Sequence, residues 1–257
     1  MTDRRQFLLG ALNEDDGDPF SNNPEAFEDV FESGILGVHA SERSFVIRAA
    51  DSAGRRSDAS MLINKMYAWR GYGSGHSVDA RPDQMALVAT DYRNGDAIGT
   101  LTVSLDRSGR GLLADRLYAK EVDELRARDR RLCEMIKFAV DRSVKSKSVL
   151  TALFHVAFIY AYHLSGCTDL LIEVTPQHGL FYKHLLHFEQ AGEERLNPRV
   201  NTRGVLLRLD LDHAAEQIRK FGGQGPDSSE RSLYPYAFSA KEEEGVIQRL
   251  RNIERTG

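Results

Sequence analysis

The sequence predicts an α/β (α+β) fold in which strands and helices alternate around one mixed sheet. Three observations carry that expectation: a hairpin of two apolar strands near the middle of the chain, two later apolar strands separated by an amphipathic helix, and a strand running directly into a polar turn and another helix. The last of these reads DLLIEVTPQHGLFYKHLLHF over residues 169–188. Strand ends that feed helices are where α/β sheets usually place their chemistry.

SFVIRAA (44–50) reads as a first strand. Residues 58–70 read as a helix, with Met61, Leu62, Lys65, Met66 and Trp69 recurring at helical spacing. MALVATDY (85–92) and AIGTLTVSL (97–105) are joined by Arg-Asn-Gly-Asp, which predicts a hairpin. A charged helix follows near 117–128, then a strand, LCEMIKFAV (132–140). Residues 148–164 form an apolar-striped helix closed by Gly166. DLLIEV (169–174), a short helix over 179–187 and GVLLRLDL (204–211) complete the order, with a further helix expected after 212.

Composition bounds the function. The 257 residues are 41% hydrophobic and 28% charged with a net charge of −4, which suits an ordinary globular chain and argues against a whole-surface nucleic-acid or anionic-membrane binder. The charge is uneven. Residues 1–32 hold nine acids against two arginines, whereas 126–147 hold eight bases against three acids. The reading divides the chain into an acidic flexible arm (1–37), a catalytic-sized domain (38–222), and a C-terminal linker and tail helix (223–257) that docks on the domain or a partner. Cys133 and Cys167 lack the spacing of a zinc site or a disulfide framework. The longest apolar stretch, 148–164, falls short of the roughly 20 residues that span a bilayer. A cytoplasmic protein with no transmembrane segment and no nucleic-acid partner is the expectation.

Several runs resemble known families. Glu134-Met-Ile-Lys137-Phe138-Ala139-Val140-Asp141 is similar to a strand of the acyl-homoserine-lactone synthases and their relatives. Pro176-Gln-His178-Gly-Leu-Phe181-Tyr182, with Phe188 beyond, looks like a segment of the bacterial long-chain N-acyl amino acid synthases. Arg70-Gly71-Tyr72, Ile98-Gly99-Thr100-Leu101 and Ala191-Gly192-Glu193 add further family-like pieces in the same order. Together they resemble the GNAT-type acyltransferase fold over about residues 44–211.

The resemblance implies a mixed twisted sheet with flanking helices, in which the parallel strands at 132–140 and 169–174 splay apart and a thioester donor's pantetheine arm lies in the gap. It implies transfer of a fatty acyl group to the amino group of an amino acid, with acyl-phosphopantetheine as donor substrate and no bound cofactor or metal. Glu134 is then the candidate base, and a carboxylate on an apolar strand is unusual in itself; the plainer reading is that it pairs with Lys137 or an arginine. Backbone N–H groups near Phe138, Ala139 and Val140 are the expected oxyanion donors.

Tyr182 is the candidate acid, or else a core tyrosine with a satisfied hydroxyl. His178, in the turn, orients a carboxylate or serves as an alternative base. Arg70 suits a carboxylate contact, or is a solvated helix-end arginine. Phe154, Phe158 and Phe181 line an acyl tunnel or simply fill the core. His184 and His187 read as surface histidines.

Where coenzyme A-dependent acetyltransferases carry a glycine-rich pyrophosphate turn, residues 141–153 contain no glycine and offer Arg142, Lys145 and Lys147. Acyl carrier protein, an acidic partner with one phosphodiester, fits that basic segment. An acyl-homoserine-lactone synthase, an acyl-coenzyme A-dependent N-acetyltransferase and a non-catalytic acyl-binding module remain the alternatives.

Overall fold

A computed structural model describes residues 45–256, apart from 74, 108–109, 143 and 145–146. The acidic arm and Lys145 therefore lie outside the described residues. Strand β1 (Phe45–Ala49) leads into α1 (Ala53–Trp69), and β2 (Gln84–Asp91) and β3 (Ala97–Leu105) form the expected hairpin. Its turn needs a positive φ, which Gly95 supplies at 78°. Helix α2 (Asp115–Arg126), β4 (Leu132–Val140), α3 (Lys147–Phe158) with a π-helical extension (Ile159–Leu164), and β5 (Asp169–Val174) follow. Then come α4 (Pro176–Leu186), β6 (Glu189–Gln190), β7 (Arg195–Asn197), β8 (Thr202–Asp210), α5 (Leu211–Phe221) and α6 (Ala240–Thr256). The strands form one sheet in the order β1-β2-β3-β4-β5-β8-β6, with β7 pairing off β8. Among the described residues, no helix is long and apolar enough to cross a membrane.

The central feature is the parallel pair β4–β5. Its pairing covers Leu132↔Asp169, Cys133↔Leu170 and Glu134↔Leu171, and then stops. Beyond that point β4 stays on β3 as far as Val140, while β5 stays on β8 as far as Val174. The two strands part because each follows its other neighbour. A bulge on β4 supplies the local cause: Thr100 faces Ala139 but Thr102 faces Ile136, so Lys137 and Phe138 share one position. Lys137 takes φ 53°, a left-handed conformation that bends the strand. At the closed end Asp169, fully buried, accepts hydrogen bonds from Arg130, Arg208 and the Thr168 hydroxyl. The fork is pinned by charge at its base and open at its tip.

Two local expectations are corrected. Helix α1 begins earlier, at the Ser52 cap, and buries Ala59, Leu62, Ile63 and Met66. Met61 is 62% exposed, so the apolar stripe is turned by one position from the one the spacing suggested. Helix α4 begins at Pro176 rather than Gly179, because Thr175 caps it and proline suits a first helical position, where its missing N–H costs nothing. His178 thus stands in a first helical turn.

The segment read as a linker and tail does not stand apart. Leu233, Tyr234, Ala237, Phe238, Ile247 and Leu250 belong to the same core cluster as α3 and β5. Leu233 N–H donates to Leu185 O at 2.9 Å, the Tyr234 hydroxyl to Leu186 O at 2.8 Å, and Phe238 N–H to His155 Nδ1 at 2.9 Å. Helix α6 is held by Glu243, whose carboxylate lies 3.1 Å from His163 Nε2 and 3.5 Å from His155 Nε2.

Candidate active site

The fork opens into a cavity of about 200 Å³. Its walls come from β4 (Glu134 to Phe138), β5 (Ile172 to Val174), the start of α4 (Thr175, His178, Tyr182), the end of α1 (Tyr67, Arg70, with Tyr72 beyond) and the β7–β8 turn (Asn197 to Gly204). Of the residues singled out from the sequence, Arg70, Glu134, Lys137, Phe138, Phe154, His178 and Tyr182 meet here.

Glu134 sits at the last paired position before the strands part and is 1% exposed. One carboxylate oxygen accepts from Leu113 N–H at 2.7 Å and Ala114 N–H at 3.3 Å. Its pKa is raised from 4.5 to about 8: burial pushes it up most, the two amides pull against that, and the charges of Glu173 and Asp115 add to the rise. The expected alternative, pairing with Lys137, does not hold. Burial lowers the Lys137 pKa, and its ammonium donates to Ser77 O at 2.5 Å. A buried carboxylate near neutrality, wired to backbone amides rather than to a cation, can take and return a proton at working pH.

Tyr182 is buried, with its ring edge-on to Phe154 at 6.1 Å and to Phe188 at 5.6 Å. Burial raises its pKa well above the usual tyrosine value, with Arg70 opposing, so the phenol keeps its proton. Tyr67, raised to about 12 by burial against the same arginine, donates to Phe138 O at 3.4 Å. Arg70 caps the C-terminus of α1 at the cavity wall. The His178 ring nitrogen Nδ1 lies 2.9 Å from Thr175 Oγ1, the hydroxyl that caps α4.

Other candidates fall elsewhere. Ala139 and Val140 remain on β3 past the cavity, where Val140 faces Gly99. Phe181 is buried in the main core, and Phe158, stacked on Tyr162 at 5.2 Å, lines with Phe154 a second, apolar cavity beside this one. Arg142 lies over the Trp69 ring at 3.9 Å, and Lys147 over the Tyr236 ring at 4.8 Å. Burial and the charge of Arg231 lower the Lys147 pKa to about 8. His184 is exposed, but His187 is half-buried at the left-handed end of α4, its Nδ1 3.1 Å from His213 Nε2.

Sequence reasoning passed over Tyr67, Glu173, Asn197 and the β7–β8 turn. Glu173 accepts from Asn197 Nδ2 at 2.5 Å, and a side chain on Gly204 would strike its carboxylate at 2.7 Å. Asn197-Pro198 and Asn201, the latter at φ 48°, are turn residues from which a short hairpin was readable.

A mixed sheet with a forked parallel pair and helices on its faces, with a buried carboxylate at the fork, is the GNAT-type N-acyltransferase fold. A sequence model of the family described as N-acyl amino acid synthase FeeM matches residues 58–210. This chain belongs to the N-acyl amino acid synthase family, a family of N-acyltransferases.

Among solved structures, FeeM, an N-acyl amino acid synthase from uncultured soil microbes, aligns with a TM-score of 0.59 at 24% identity, covering 67% of this chain and 93% of that one. The AHL synthase LasI aligns at TM-score 0.47 and 13% identity over 65% and 90% of the two chains. An N-acetyltransferase from Staphylococcus aureus Mu50 aligns at TM-score 0.43 and 12% identity over 66% and 99%. No curated protein matches the chain.

Proposed function

We propose that this protein transfers a fatty acyl group from acyl carrier protein to the amino group of an amino acid, in the cytoplasm, giving an N-acyl amino acid. The observation that carries the reading is Glu134: a buried carboxylate, raised to about 8, at the point where β4 and β5 part. The pantetheine arm enters the gap as an added strand. Glu134, directly or through a water, takes a proton from the acceptor's ammonium or from the attacking amine. The amine nitrogen bonds to the thioester carbon, and the backbone N–H of Phe138, on the bulged part of β4 that lines the cavity, is the oxyanion donor in this reading. Collapse breaks the carbon–sulfur bond, and Tyr182, kept protonated by burial, gives the departing thiolate its proton. Arg70 receives the amino acid's carboxylate, and His178 orients it.

The donor assignment rests on the segment between β4 and α3. It has no glycine to wrap a pyrophosphate, and its sequence carries Arg142, Lys145 and Lys147, the last of them the first residue of α3. A single phosphodiester on an acidic carrier suits it better than a nucleotide.

The test is thiol release from lauroyl- or palmitoyl-carrier protein with a pool of amino acids, products read by mass spectrometry, and the matching acyl-coenzyme A in parallel. An N-acyl amino acid formed with the carrier protein supports the proposal. Product with coenzyme A alone overturns the donor, and silence with both overturns the reaction.

A further inference from the structure

A second, apolar cavity of about 40 Å³ lies next to the first. Met135 and Phe154 line both, so two side chains form the partition. Behind it the wall is made by Leu170 and Leu209 of the sheet, Leu186 and Phe188 around the end of α4, and, at the far side, Leu233, Tyr234 and Ala237. The surface it presents is apolar: the Tyr234 hydroxyl is bonded to Leu186 O and His155 Nδ1 to Phe238 N–H, and Thr151 Oγ1, buried without a hydrogen-bond partner among the described residues, contributes no surface to the space. A cavity of this kind stays dry and accepts apolar matter. The far wall belongs to a segment beyond residue 210, where the family match ends.

We infer that the donor's acyl chain passes between Met135 and Phe154 into this chamber, and that the C-terminal segment 233–237 is its floor and sets the longest chain accepted. This rests on the acyl-transfer reading above. The chamber is small, so the chain enters as the Phe154 side chain gives way, and the floor then becomes the limit. Three hydrogen bonds fix that floor: Leu233 N–H to Leu185 O, Tyr234 hydroxyl to Leu186 O, and Phe238 N–H to His155 Nδ1. Each methylene buried before the floor tightens binding about fourfold. A methylene beyond it finds no space and the gain stops.

The experiment titrates saturated fatty acids of about 6 to 16 carbons into the full-length protein by calorimetry, for wild type, Ala237→Val, Ala237→Leu and Leu233→Ala. Thermal unfolding of each variant accompanies the titrations, and the valine step covers the case in which leucine does not fold. Affinity in wild type should climb with length to a break. Ala237→Val and Ala237→Leu should move the break to chains shorter by about one or two methylenes, and Leu233→Ala to longer ones. Chains well below the break should bind within about twofold of wild type. A break that stays fixed, or a uniform loss at every length, overturns the inference. Shifted breaks without turnover of any acyl donor would leave the chamber standing and remove the proposed reaction; turnover with unmoved breaks would do the reverse.

Discussion

Glu134→Gln separates the chemistry of this site from its architecture, because the amide keeps the shape and can still accept from Leu113 and Ala114 while losing the ability to take a proton. Folding raises the Glu134 pKa from 4.5 to about 8, so at ~1.4 kcal/mol per unit the fold opposes ionisation by about 5 kcal/mol. The native state binds the extra proton between those values. The group's contribution to stability is therefore fully present below pH 4.5 and is lost as pH rises through 8.

Two results follow. In urea unfolding, wild type should lose stability between about pH 5 and 9, whereas Glu134→Gln loses much less and exceeds wild type at the alkaline end by several kcal/mol. In turnover, wild-type kcat/KM should rise through an ionisation near 8, and the variant should be slower by ~10²–10⁴-fold with that ionisation gone. An unchanged rate, or the same ionisation in the glutamine variant, would falsify the role of Glu134 and move the titration to the acceptor amine.

Asp169→Asn at the base of the fork should cost ~3 kcal/mol in chemical unfolding, since Arg130 and Arg208 then lose their buried counter-charge. Burial pushes the Asp169 pKa up, but Arg130, Thr168 and Arg208 together hold it below 3.8; its contribution is present above that value and lost at lower pH, so the variant should show a flatter acid limb. Wild-type stability in the variant would sink the idea that this charge cluster pins the strands.

Gly192→Ala should lower stability by ~1–3 kcal/mol, because a Cβ there meets the Tyr118 ring at 2.7 and 2.9 Å and the ring is itself packed. An unchanged melting temperature would show that Tyr118 moves freely. Glu243→Gln should weaken the hold on α6 by ~1–2 kcal/mol, read as faster proteolysis of the tail. Equal proteolysis rates would mean that Ile247 and Leu250 alone hold the helix.

The order of elements was legible because apolar runs of strand length alternate with helical stripes, and hairpin and cap residues mark their ends. The fork was not legible in that pattern. Periodicity says which face of β4 is apolar and nothing about where its pairing with β5 stops; the expectation came from the resemblance carried by the 134–141 and 176–182 runs. Glu134 stood out because a carboxylate interrupts an apolar strand. Glu173, also a carboxylate on a strand, was passed over, since only the fold brings it beside Asn197 and Gly204.

Long-range contacts hid the tail in the same way. Its composition reads as a linker, yet Leu233, Tyr234 and Ala237 close a core cavity that no local rule describes. That difference has a functional reading. Residues 58–210 carry the family match and hold the residues proposed to move protons and the acyl group. What lies after them is packed into the core at the far end of the same apolar space. On the proposed reading the matched domain carries the chemistry, and a floor built by the segment beyond it constrains the length of the acyl chain without touching the reacting atoms.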